Sequence, residues 1–411
     1  MSVLQKYFNK QIAEIKNDAA VRIYGAFVAF GYFLCFLAWR PAYIAEHMSN
    51  PAEVYCWPFF ENCFAYRPFT TEQTQLIIAV YGLAAFIGVL LFLFQKHCTL
   101  AYWWLILTTV FKTVIYVQDY ALRMNQHYML YFITLVFLFL PYKRQLLRIT
   151  MVLFYFWAST LKFNTEWLSG QAMTARPLGV PWRLLPASCV YAAILESVLV
   201  WGILSANRRI FWITLFQLFL FHVVSWTVVG YFYPTLMFAL LSIFPLTALI
   251  PDSAEPKSLL KSLFTGRQPP VVYFFILLFS CLQLIPVAMP GDEKLTGEGR
   301  LFALHMIDAK VKCQGAITLK FKDGTSETIS IPIKKSIKRT QCEPAMNFSV
   351  AKRSCYLHRD NPNFKDLDVY YEARRATQKA MRTLVDIKDF CSQSLSYDMV
   401  RPNPWIIRNG N

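Results

Sequence analysis

The chain has 411 residues, of which 56% are hydrophobic and only 16% are charged, with a formal net charge of +16. Soluble domains carry roughly 25% charged residues, so the composition argues against a soluble globular protein and favours several membrane spans. The sequence contains no Walker loop, glycine-rich dinucleotide fingerprint or HExxH motif, which argues against the common nucleotide-binding and zinc-hydrolase classes.

Apolar segments of spanning or near-spanning length dominate residues 1–290. The first of them is long enough to cross a bilayer, so it is interpreted as a first helix and not as a cleavable signal peptide. The sequence predicts an α-helical multispan membrane bundle with about nine transmembrane helices. The predicted spans lie near residues 19–39, 75–95, 100–117, 128–142, 149–163, 186–206, 210–230, 233–250 and 270–290.

Lysine and arginine are distributed unequally between the two sets of loops. One set contains Lys6, Lys10, Lys16, Arg22, Lys96, Lys143, Arg144, Arg148, Arg208, Arg209, Lys257, Lys261 and Arg267. The opposite set contains only Arg40, Arg67, Arg123, Arg176 and Arg183. The positive-inside rule therefore predicts a cytoplasmic N-terminus. Nine spans then place the C-terminal domain on the periplasmic or lumenal side, in a bacterial inner membrane or the endoplasmic reticulum.

Six of the ten cysteines lie on the predicted non-cytoplasmic side: Cys56, Cys63, Cys313, Cys342, Cys355 and Cys391. An even number of cysteines in an oxidising compartment is typical of disulfides. We predict that disulfides link the loop after the first span to the tail, or join cysteines within the tail. Free thiols are the alternative.

Residues 291–411 are more polar and are predicted to form a small β-rich domain outside the membrane. Two alternating segments, 316–321 and 325–331, flank Lys322-Asp323-Gly324, which is a hairpin turn signal. Residues 367–373 and 381–387 are predicted to be further strands, or a strand and a helix. This basic domain would attract acidic substrate segments or anionic headgroups; a solvated basic surface is the alternative.

Ionisable residues within predicted spans mark functional sites in membrane proteins because charge is costly there. Lys112, Lys162, Glu196 and His222 lie in or at the edge of spans, and His127 begins one. From their depths along the spans, we predict that Lys162, His127 and His222 converge in the outer half of the bilayer. Lys112 and Glu196 are predicted to form a deeper structural ion pair.

Lys162 directly follows the apolar, aromatic run 151–161. An ammonium ion is unfavourable at this position, so an uncharged amine becomes accessible and can take a proton from a substrate. The alternative is that Lys162 extends to the headgroups. His127 is alternatively an interfacial histidine, and His222 a hydrogen-bonded core histidine.

The segment from Lys162 to Gly170, KFNTEWLSG, resembles the Lys-Leu-x-x-Asp-Trp-x-x-Gly segment of the vitamin K-dependent gamma-glutamyl carboxylase family, within the wider HTTM membrane-domain family. Phe163 and Glu166 replace the family's Leu and Asp. Further similar stretches are Asn125 to Tyr131, Phe221-His222 with Gly230 to Tyr233, the intramembrane Glu196, the Lys322-Asp323-Gly324 turn, and Cys56 or Cys63 near a family disulfide cysteine.

The resemblance implies a carbon–carbon lyase that couples epoxidation of reduced vitamin K (phylloquinol or menaquinol) to carboxylation of glutamate, with O2 and CO2 as co-substrates. Lys162 would be the base that deprotonates the quinol, and His127 would hydrogen-bond to the quinol oxygen. Asn125, Trp167 and His222 are predicted to bind the cofactor. No metal is predicted, because the six histidines show no ligand spacing.

The expected partners are the lipid bilayer, the isoprenoid quinol and a Glu-containing protein substrate, with no nucleic acid. Animal members of the family have a much larger lumenal region than residues 291–411. Two alternatives therefore stay open: a quinone- or lipid-binding HTTM protein without carboxylase activity, and a transporter. A transporter would be expected to show repeats or interrupted helices, and the sequence indicates neither.

Overall fold

The computed structural model describes residues 2–173, 179–252, 258–304, 310–331 and 342–408. Arg176 and Lys257, two of the positions used to predict topology, lie outside these ranges. The helices are α1 Val3–Asn17, α2 Ala19–Trp39, α3 Ala42–Ser49, α4 Thr71–Leu93, α5 Cys98–Tyr116, α6 Asn125–Phe139, α7 Lys143–Thr160, α8 Thr165–Leu168, α9 Leu185–Ser197, α10 Arg208–Val229, α11 Phe232–Leu241, α12 Ile243–Leu249, α13 Leu259–Phe264, α14 Pro270–Ala288, α15 Glu293–Thr296 and α16 Pro344–His358. The strands are β1 Val311–Phe321, β2 Ser326–Ser330, β3 Phe364–Arg375 and β4 Arg382–Ile387.

Seven helical segments in the described residues are long and apolar enough to span a membrane. They are α2, α4, α5 with the turn before it, α9 with its flanking 3₁₀ helices, α10, α11 with α12, and α14. The predicted fold class, a multispan helical bundle followed by a small β-rich domain, is confirmed.

The two other predicted spans, near 128–142 and 149–163, are helices that are shorter or more charged than the seven. α6 has only 15 residues. α7 has 18, but it begins with Lys143 and Arg144, and both side chains are buried. Lys143 Nζ donates to Gln11 Oε1 at 2.6 Å and to the Leu140 carbonyl at 2.7 Å. Seven of the about nine predicted spans are therefore long and apolar enough to cross a membrane among the described residues.

Local sequence fixes where the first spans begin. Asp18 accepts hydrogen bonds from the amides of Ala20 and Val21 and so caps the start of α2. Thr70 and Gln73 form a reciprocal capping box at the start of α4. Because these caps satisfy amides that have no partner within the helix, each helix has a defined first turn.

The C-terminal sheet has the order β2-β1-β3-β4, and all its pairs are antiparallel. The predicted hairpin is confirmed: Leu319 pairs with Glu327, and Gly324 takes a positive φ of 85° in the turn. The segments predicted near 367–373 and 381–387 are both strands. α16, which the sequence analysis missed, packs against β3.

All six predicted cysteines are in disulfides. Two bonds lie within the tail, Cys313–Cys342 and Cys355–Cys391. The third joins Cys56 to Cys63 and closes the loop on itself. The prediction of disulfides within the tail is confirmed. Its alternative, a link between this loop and the tail, is not formed, because a partner only seven residues away lies within bonding reach.

The β-rich domain packs on the loops at one end of the bundle. Tyr55, Trp57 and Tyr120 from these loops belong to the same hydrophobic cluster as the inner face of the sheet. Glu343 accepts from Tyr120 Oη at 2.8 Å and pairs with Arg123 at 3.0 Å. These contacts hold the domain at the end of the bundle to which α7 leads.

Candidate functional site

A largely apolar cavity of about 580 Å³ opens within the helical bundle, between α9, α10 and the segment that follows α7. Cavities of this size accommodate small molecules in many proteins. Of the predicted site residues, Lys162, Trp167, Asn125 and Glu196 contribute to its wall. The cavity thus brings together side chains from three separate parts of the sequence.

Lys162 and Glu196 form a buried ion pair in this wall. Lys162 Nζ donates to Glu196 Oε2, and the two residues are only 3% and 1% exposed. α7 packs against α9, and this contact sets the two residues side by side. The predicted pairing of Glu196 with Lys112 is therefore wrong, because depth along the spans does not specify which helices are neighbours.

The segment after α7 is shaped by its own hydrogen bonds. Asn164 donates to the Leu161 carbonyl at 2.8 Å and accepts from the Trp167 amide at 3.0 Å. Trp167 Nε1 donates to the Cys189 carbonyl at 3.0 Å, which ties the segment to α9. As a result, the Trp167 ring lies 5.1 Å from Lys162 Nζ, within the range of a cation–π contact.

Glu166 connects the same segment to the β-rich domain. Its carboxylate is fully buried, and Oε1 accepts from the Thr377 amide at 3.1 Å and from the Thr377 hydroxyl at 2.6 Å. Thr377 lies in the turn between β3 and β4. Sequence reasoning missed Thr377, which lies 211 residues from Glu166 in the chain. The available signal was Glu166 itself, since a buried carboxylate needs a hydrogen-bonding partner.

His222 lies behind the cavity wall. Its Nε2 is hydrogen-bonded to the Tyr155 hydroxyl. Its ring centroid is 5.5 Å from that of Tyr233, and Tyr233 lines the cavity. Lys162 and His222 were predicted to converge. In the structure Lys162 lines the cavity, whereas His222 lies in a layer behind it, with Tyr233 between the histidine and the cavity.

His127 belongs to a different cluster. Its Nδ1 lies 3.4 Å from Cys35 Sγ, and its ring packs against Trp39 and Tyr116. It does not line the cavity that Asn125 reaches, so its predicted convergence with Lys162 is wrong. Asn125 and His127 are two residues apart on α6. Successive helical residues are about 100° apart, so the two side chains project to different faces of the helix.

Lys112 is enclosed by tyrosines near His127. Its Nζ is 3.5 Å from the centroid of the Tyr131 ring and 5.4 Å from that of Tyr32. Among the residues that the structure describes, this amine has no hydrogen-bond acceptor. Lys112 is thus a buried lysine without a carboxylate partner in that part of the chain.

The span that carries Glu196 is interrupted close to this residue. α9 ends at Ser197, and a 3₁₀ helix, Leu199–Leu204, continues the span. Breaks of this kind within a span leave backbone groups without their usual partners and often mark functional positions. The sequence analysis indicated no interrupted helix, because the apolar composition continues through the break.

Chemically, the cavity offers an amine and a carboxylate that share a hydrogen bond at the edge of an apolar space. Such a pair can accept a proton from a bound molecule and hold it. Among the described residues, no group of three or more His, Cys, Asp or Glu side chains is arranged to hold a metal ion. No family model, curated protein or solved structure matches the chain.

Proposed function

We propose that this chain is a membrane enzyme of the vitamin K-dependent gamma-glutamyl carboxylase type, which couples epoxidation of an isoprenoid quinol to carboxylation of glutamate. The observation that carries the proposal is the buried Lys162–Glu196 pair in the wall of an apolar cavity. The resemblance of the segment from Lys162 to Gly170 to the family's lysine segment supports the same assignment.

The residues around the cavity fit a reduced naphthoquinone. The walls are mainly apolar, as a lipidic ring requires, and the Trp167 and Phe221 rings both lie near Lys162 Nζ. Asn125 adds an amide that can hydrogen-bond to a quinol oxygen. When bound, the quinol supplies the reaction with O2 that generates the strong base needed for carboxylation.

In this proposal Lys162 is the proton acceptor. When the proton that Nζ donates passes to Glu196 Oε2, a lone pair on Nζ becomes available to the quinol. Glu196 hydrogen-bonds to Nζ and so both orients the amine and holds its proton. His127 has no part in this step, because it lies in a different cluster.

The alternative functions differ in what they do with the same cavity. A quinone- or lipid-binding protein would use the apolar walls without proton transfer. A transporter is favoured by one specific observation, the break beside Glu196 in the span of α9, since broken spans line binding sites in many transporters.

The test is epoxide formation by the purified protein in detergent with reduced vitamin K and O2, comparing the matched variants Lys162→Met and Lys112→Met. We expect Lys162→Met to lower the rate by at least about 100-fold, the usual size of general-base catalysis. Lys112→Met is expected to keep the wild-type rate. Equal rates for Lys162→Met and wild type would contradict the base assignment.

Isotope-labelled CO2 separates the remaining possibilities. Label recovered in a Glu-containing peptide supports carboxylation, whereas epoxide without label indicates a quinol oxidase. Binding of the quinol with neither product indicates a binding protein, and solute uptake into proteoliposomes without epoxide indicates a transporter.

A further inference from the structure

We infer that the cavity is reached from within the bilayer, through an opening between α9 and α10, and that its occupant is a single-chain isoprenoid lipid whose tail lies in this opening. The inference rests on the proposed function for the nature of the head group. It adds to that function the route by which the ligand enters the cavity. It also assigns the selection of the ligand to the isoprenoid tail.

The first observation is the exposure of the cavity wall. Leu184 and Tyr191, at and within α9, are 56% and 48% exposed, and Leu220 and Val224 of α10 are 51% and 41% exposed, although all four line the cavity. Both helices belong to candidate membrane spans. Apolar side chains exposed on a span face lipid, so the cavity is open on its lipid-facing side.

The second observation is the charge distribution along the cavity. Among the described lining residues, the only charged side chains are Lys162 and Glu196, and both are buried. A ligand with a charged headgroup would therefore have to move its charge past an apolar opening, which is unfavourable. An uncharged quinol head on an isoprenoid tail avoids this cost, whereas a phospholipid does not.

The third observation is a hydrogen bond that joins the two walls. The Tyr191 hydroxyl donates to Gln217 Oε1 at 2.9 Å, and both residues line the cavity about midway along their helices. Polar side chains at this depth need a partner. This pair therefore links α9 to α10 and limits how far the opening extends along them.

The test is to narrow the opening from either side and compare ligands with and without a tail. Val224→Trp narrows the opening on the α10 side and Ala187→Trp narrows it on the α9 side. If one variant fails to fold, the other still tests the inference. The matched control is Val223→Trp, because Val223 is the neighbouring residue, is 55% exposed and lies outside the cavity lining. The measurement is saturation binding of radiolabelled phylloquinone, and of menadione, which lacks the tail, in nanodiscs.

We expect each narrowing variant to weaken phylloquinone binding at least tenfold while changing menadione binding less than threefold, and Val223→Trp to change neither. If the narrowing variants weaken the binding of both ligands equally, or of neither, the inference is overturned. It is also overturned if a phospholipid displaces phylloquinone as effectively as unlabelled phylloquinone does. If these binding results hold but wild-type protein forms no epoxide, the proposed function fails and the access route stands. If Val224→Trp and Ala187→Trp epoxidise phylloquinol at the wild-type rate, the route fails and the function stands.

Discussion

Two of the buried lysines in the described part of the bundle, Lys162 and Lys112, differ in their surroundings. Lys162 has a carboxylate partner, Glu196, and an apolar cavity beside it. Lys112 is surrounded by tyrosine rings, does not line that cavity, and has no hydrogen-bond acceptor among the residues the structure describes. Burial alone therefore does not identify a reactive amine in a membrane protein. What distinguishes Lys162 is a hydrogen-bonded carboxylate and a cavity beside it.

Lys162 and Lys112 also differ in the parts of the chain that hold them in place. The segment after Lys162 is held by the β-rich domain through Glu166 and Thr377. Lys112 lies within α5, and the rings around its amine come from α2 and α6 of the bundle. The Lys162 site is consequently assembled from several parts of the chain, and changes in any of these parts are expected to alter it.

The largest expected effect on stability comes from removing one charge of the Lys162–Glu196 pair. Glu196→Gln leaves the Lys162 amine buried without its counter-charge, and removing one partner of a buried pair typically costs about 3–5 kcal/mol. We expect a loss of that size in the free energy of unfolding, measured by denaturant titration in detergent, together with loss of epoxidation.

The matched control removes both charges. The double variant Lys162→Met, Glu196→Leu is expected to recover most of the stability lost in Glu196→Gln, because apolar residues replace the whole pair. It should remain inactive. If the double variant is as unstable as the single one, the ion pair is not what distinguishes this site from that of Lys112.

A smaller effect is expected from Thr377→Val, which removes the hydroxyl that donates to Glu166 but keeps the shape of the side chain. Hydrogen bonds to charged groups contribute about 1.5–3 kcal/mol, so we expect a loss of this size and faster amide hydrogen exchange over residues 163–170. Thr377→Ser, which retains the hydroxyl, is the control. Wild-type exchange in the valine variant would show that the β-rich domain does not support the Lys162 site.

Much of the architecture was predictable because its signals are local. Spans of about 20 apolar residues and an Asp-Gly turn between alternating segments depend only on neighbouring residues. The helix α16 was missed because its sequence mixes polar and apolar residues without a clear period. The break after Ser197 was missed because apolar composition does not distinguish an α-helix from a 3₁₀ helix.

The site was predictable only in part. Lys162, Trp167 and Asn125, which the resemblance assigns to one site, all line one cavity. Lys162 and Trp167 lie in one short motif, whereas Asn125 comes from a separate helix. The partner of Glu196 was assigned wrongly because the choice between Lys162 and Lys112 depends on which helices pack together. His127 was misplaced because the rotation of α6 about its axis is set by tertiary packing and not by depth in the membrane.

The smallest expected effect is that of Lys112→Met on stability. Methionine removes a buried donor that lacks an acceptor among the described residues, which recovers about 1–3 kcal/mol of desolvation. It also removes the cation–π contact with Tyr131, which is worth about 2 kcal/mol when desolvated. Because the two terms nearly offset, we expect the free energy of unfolding to stay within about 1 kcal/mol of wild type by the same denaturant titration. A loss above about 3 kcal/mol would mean that this amine, like Lys162, depends on a partner of opposite charge, and the contrast between the two lysines would not hold.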